Sequence, residues 1–151
     1  MKIKIASGHV LTAIFIGMMA WGFTRPASAP DMVQTPDTAS ATPGAALAVV
    51  KLPATLSAKA AGGKIYYQAV CASCHGVNAA GQDGIAPPLI HPLYVSSHHG
   101  DAAFVVAVRN GMRQHHWSFG SMPPVLQRLT DAELNAIILF IRELQRENGI
   151  L

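Results

Sequence analysis

Near the C-terminus, apolar residues recur at helical spacing: Leu134, Ile137, Ile138, Ile141 and Leu144 fall on one face. Thr130 and Glu133 precede that stripe as a capping box and Gly149 follows it as a stop, so a helix is predicted between them. A shorter helix is predicted over 101–110. Asp101 lies near its positive end, Phe104, Val105 and Val108 form its apolar side, and Gly111 ends it. No segment reads as a strand. The pattern predicts a small all-α domain.

The other end of the chain follows a different pattern. Met1 to Lys4 is a short basic start, and Val10 to Phe23 is apolar except for Thr12 and two glycines, the layout of a secretory signal. Ala27-Ser28-Ala29 has the form of a cleavage site, while Pro30 just after it would hinder the peptidase. Residues 3–23 also approach the roughly 20 needed to cross a bilayer. Residues 1–29 therefore read as a signal peptide or an uncleaved membrane anchor. Both readings imply export, in a bacterial cell to the periplasm, either soluble or tethered to the inner membrane through residues 3–23. From Pro30 to Ser57 the chain is rich in Ala, Thr, Ser and Pro, with Pro30, Pro36, Pro43 and Pro53 as breaks. This composition predicts a flexible linker, and Ala45 to Val50 is too short a helix candidate to change that.

Charge adds an exclusion. The chain has 151 residues and a formal net charge of +3. Lys2, Lys4 and Arg25 precede Pro30, and beyond it the basic and acidic residues balance. No Lys/Arg-rich face remains for nucleic acid, so that class of partner is excluded. Two cysteines are too few for a disulfide-stapled scaffold.

Those two cysteines carry the chemistry. Cys71-Ala72-Ser73-Cys74-His75 is a C-x-x-C-H motif, in which two thiols one helical turn apart add across the vinyl groups of haem while the histidine reaches the iron. A thioredoxin-like site would need a βαβ context, and a zinc site a second ligand pair at suitable spacing. Neither is present. One covalent haem c is the cofactor expected, and a bound apolar group would also help a domain confined to residues 58–151 to fold.

From 58 to 151 the sequence resembles a class I, monohaem cytochrome c. Gly63 and Tyr67 stand eight and four residues before Cys71, where that family places a small residue and an aromatic on its first helix. Phe140 stands where the last helix supplies its aromatic. The resemblance implies a cytochrome c fold wrapped around haem, with Met122 in Gly120-Ser121-Met122-Pro123-Pro124 as the second axial ligand of the iron beside His75. The prolines would stiffen the loop that presents a weakly binding thioether. Met112, after a helix-ending glycine, is the competitor. The resemblance also implies that the carbonyl of Pro87 accepts the other N–H of the axial histidine and that Leu89 packs on the haem.

Several side chains fall outside the common pattern. His91, His98, His99, His115 and His116 are numerous for so small a unit and could take a second metal such as copper. Adjacent histidines point in different directions, however, and the two His-His pairs flank the middle helix, so they are expected to be solvent-facing loop residues. Trp117 and Arg109 are the expected partners of a haem propionate, although packing for Trp117 and a helix-end role for Arg109 account for them as well.

His/Met ligation raises the reduction potential and leaves the iron no open position for a substrate. The function expected is therefore that of a non-enzymatic carrier of single electrons between redox partner proteins. A haem subunit or domain feeding a larger exported oxidoreductase, or a haem/metal-binding sensor, is the alternative.

Overall fold

Residues 42–150 are described in the computed structural model. The expected signal or anchor segment, 1–29, lies outside the described residues, as does the first part of the expected linker. Among the described residues there are four α-helices: α1 (Ala58–Val70), α2 (Ala72–His75), α3 (Asp101–Asn110) and α4 (Asp131–Glu147). Two 3-10 turns, Val77–Ala79 and Pro92–Tyr94, lie between α2 and α3. Extended pairing is limited to two isolated bridges among these residues. No described helix is long and apolar enough to cross a membrane.

α4 forms where its cap and stripe predict. The Thr130 hydroxyl accepts from the Glu133 N–H, and the Glu133 carboxylate accepts from the Thr130 N–H at 2.7 Å, which satisfies two otherwise orphaned ends. Leu134, Ile137, Ile138, Ile141 and Leu144 are all buried. Each contributes about 1.5–3 kcal/mol by leaving water.

α1 starts at Ser57, whose hydroxyl accepts from the Ala60 N–H. The same Ser57 donates its own N–H and O–H to the carboxylate of Glu143 on α4, at 3.0 and 2.6 Å. That anion at the start of α1 also favours its dipole. Farther along, the two helices cross backbone to backbone. A Cβ built on Gly63 would fall on the carbonyl of Ala136, so only glycine permits this approach. One turn on, Tyr67 is buried with its ring centroid 5.4 Å from that of Phe140, and its hydroxyl donates to the Gly76 carbonyl at 2.9 Å.

A second tie runs from α4 to the middle of the chain. The Arg142 guanidinium donates to Asp101 at 2.8 Å, to the Tyr94 carbonyl at 2.8 Å and to the His99 carbonyl at 2.6 Å. It also lies over the Phe104 ring. Beside it, the buried Gln145 donates to the Leu89 carbonyl at 2.8 Å and accepts from Arg142. These bonds fix the start of α3 and the loop before it against α4.

Residues 42–57 do not form the flexible tether expected of them. Gly44 N–H donates to the Asp83 carbonyl at 2.9 Å and Asp83 N–H to the Ala45 carbonyl at 2.8 Å. Leu47 N–H donates to the Ala80 carbonyl, and Lys51 exchanges two bonds of 2.9 Å with the Asn148 side chain. Val50 and Leu56 pack against the core. The segment is held mainly through its backbone, which leaves no trace in composition or periodicity.

Candidate functional site

α1 breaks at Cys71, and the single turn of α2 carries the rest of the C-x-x-C-H motif. Cys71 is half-buried and Cys74 exposed, both with free thiols. Burial pushes the Cys71 thiol up to about 11, with the negative charge of a Cys74 thiolate adding to the effect. The turn is held from outside by Gln82, whose side-chain amide donates to the carbonyls of Ser73 and Cys74 at 2.8 and 3.1 Å.

His75 is set by one bond. Its Nδ1 lies 3.0 Å from the Pro87 carbonyl, which can only accept, so Nδ1 carries the proton and Nε2 keeps its lone pair. Burial holds the imidazole below its ordinary pKa, while the Pro87 carbonyl pulls the other way. The neutral form is the one that can bind a metal.

Beside His75 opens a cavity of about 450 Å³, within the size range of cofactor pockets. Cys71, Cys74, Pro87 and Leu89 line it as well. Ala103, Phe104, Ala107 and Val108 of α3 form one wall, and Leu134, Ile137, Ile138 and Ile141 of α4 another. No residue of α3 is fully buried: Phe104 and Val108 of its apolar face pack partly against the core and partly line this cavity.

Met112 and Met122 both line the cavity and both are half-buried. They are direct cross-strand partners, joined by reciprocal backbone bonds of 2.9 and 2.8 Å. Opposed residues of such a pair put their side chains on one face. Gly111, at φ +74°, turns the chain out of α3 into this bridge, and a Cβ there would meet the Met122 carbonyl at 2.6 Å. Val125 N–H then donates to the Val108 carbonyl at 2.9 Å, so both ends of Met122-Pro123-Pro124 are pinned. Met112 is thus tied to Met122 and presented to the same cavity, although the prolines follow Met122 alone.

The other candidates separate. Trp117 lines the cavity and its indole Nε1 is buried without a hydrogen-bond partner. Arg109 is not brought to the cavity wall. Its guanidinium pairs instead with Asp131 in the first turn of α4 at 2.9 Å, a tie between α3 and α4. His91 lies against the Trp117 ring with centroids 5.1 Å apart. The two His-His pairs, expected apart, come together: His98 Nε2 lies 3.2 Å from His116 Nε2, and His99 Nε2 lies 3.4 Å from His115 Nε2. Burial lowers the His116 pKa, and the neighbouring His115, His99 and His98 lower it further. Gln82 and Gln145 escape sequence reasoning because a side-chain amide bonded to distant carbonyls follows no spacing rule.

The sequence model of one protein family, described as Cytochrome c, matches residues 59–145. The chain belongs to the cytochrome c family. No curated protein and no solved structure matches it. Family membership brings haem c as the cofactor and haem-based electron transfer as the activity. The geometry of this cytochrome fits the group. An apolar cavity between α3 and α4 suits a flat apolar ring, and Trp117, in the wall of that cavity, has a buried N–H that a carboxylate could satisfy.

Proposed function

We propose that this cytochrome is a monohaem electron carrier, with one haem joined through Cys71 and Cys74 and its iron held between His75 and Met122. The observation that carries this reading is the 3.0 Å bond from His75 to the Pro87 carbonyl at the wall of an apolar cavity. It fixes the imidazole in the tautomer that ligates through Nε2 and raises its basicity toward iron. Haem supplies one-electron ferric/ferrous chemistry. What the chain would add is a largely apolar enclosure, two anchoring thiols, Trp117 N–H for a propionate and Leu89 against the ring.

Met122 is preferred over its bridge partner because Pro123 and Pro124 follow it and restrict the loop on its C-terminal side. With the iron held by both His75 and a thioether, no site would be left for a substrate, which would make the chain a carrier and not an enzyme. Redox partner proteins dock where apolar side chains are exposed at the cavity, as Ile85 and Leu126 are. The apolar run of 10–23 supports export to the periplasm, with or without a remaining anchor.

The intact mass of the purified chain tests the cofactor reading: the polypeptide plus one haem is expected, and Cys71→Ala/Cys74→Ala should lose it. A chain without haem, or with more than one, overturns the assignment. The reduced protein should also bind carbon monoxide slowly or not at all. Rapid binding would instead favour the sensor.

A further inference from the structure

The four histidines around α3 form an arrangement that haem does not explain. α3 has 10 residues, so its ends are about 15 Å apart. His98 and His99 precede it and His115 and His116 follow it, yet the loop after Met112 carries the second pair back against the first. His99, His115 and His116 stand at the wall of the cavity, and His98 is exposed beside them.

Two of the four rings have a fixed tautomer. His99 Nδ1 lies 2.6 Å from the Leu93 carbonyl, and His115 Nδ1 lies 2.9 Å from the Arg113 carbonyl. Each carbonyl can only accept, so each Nδ1 carries the proton and each Nε2 is left as a bare lone pair. Those two lone pairs face one another at 3.4 Å. With both rings neutral no hydrogen bond can join them, and the contact is repulsive until a cation lies between. A backbone carbonyl on the far nitrogen is also how metal-ligating histidines are commonly oriented.

Distances agree with a metal ion. A tetrahedral ion with bonds of about 2.0–2.1 Å holds its ligand nitrogens about 3.3–3.4 Å apart. The two opposed pairs stand at 3.2 and 3.4 Å, and the ligand atoms of His98, His99 and His116 all lie within 4.8 Å of one another. Imidazole donors without a thiolate or a carboxylate suit zinc, copper(II) or nickel and not calcium or magnesium.

We propose that His98, His99 and His116, completed by His115, form a second metal site for one divalent ion of the zinc and copper(II) class. It is distinct from the haem iron and does not depend on the haem reading, because all four donors come from the chain.

The test uses the untagged, metal-stripped holoprotein, titrated with zinc(II) and separately with copper(II) by calorimetry, with bound metal counted after gel filtration. One equivalent of each is expected. His99→Gln/His116→Gln should weaken it by at least about 100-fold, and His91→Gln, outside the cluster, should leave it unchanged. Circular dichroism checks that each variant is folded; if the double variant is not, His98→Gln, at an exposed position, should still lose at least about 10-fold. A wild-type protein that binds no stoichiometric metal, its lone pairs sharing a proton instead, overturns the proposal. So does a folded variant that keeps the wild-type affinity.

Discussion

At Gly63 the crossing of α1 and α4 rests on one missing carbon. A Cβ there meets the backbone of Ala136, which cannot turn aside as a side chain would. Gly63→Ala should therefore cost near the upper end of the about 1–3 kcal/mol typical of overpacking, read as a lowered urea midpoint. A loss below about 0.5 kcal/mol would contradict the close crossing. Gly63, Tyr67 and Phe140 were legible by resemblance, from their distances to Cys71 and to the last helix. Their roles are physical: one permits the approach, and the other two fill the space beside it. For Arg109, too, the partner is a matter of packing at the same scale. A guanidinium at a helix end has several possible anions, and Asp131 became its partner only once α4 was packed beside α3.

α4 shows how far an element can be read before it is seen. Its capping box and five-residue stripe sit in the sequence, and the structure has both bonds of the box. Thr130→Ala should cost about 1 kcal/mol of stability at neutral pH. The effect should depend on pH. Glu133 is held below its ordinary carboxylate value by the Thr130 backbone N–H and then by the Thr130 hydroxyl. A lowered folded-state value means the contribution is complete above the unfolded value and is lost as pH falls through the folded one. The gap between wild type and variant should thus be widest at neutral pH and narrow below about pH 4; a gap constant with pH would contradict the box. α3 was equally legible in its limits, from Asp101 to Asn110. Its apolar face, though, is divided between the protein core and a cavity, and hydrophobic periodicity cannot distinguish those destinations.

Over the whole molecule, the sequence indicated a helical domain and a C-x-x-C-H attachment, and the family match covers that domain. What it did not indicate depends on chain paths. Residues 42–57 lie along the domain through backbone bonds that any composition can make. The two His-His pairs meet because the loop after α3 doubles back, and Met112 becomes the bridge partner of Met122 for the same reason. That pairing gives the central claim its sharpest test, since two thioethers now share one face of one cavity. The decisive measurement is the sulfur-to-iron charge-transfer band of the oxidised protein in the wild type, Met122→Ala and Met112→Ala. The band should be present in the wild type, absent in Met122→Ala and retained in Met112→Ala. Loss of the band in Met112→Ala alone, or its absence from the wild type, would contradict His75/Met122 ligation.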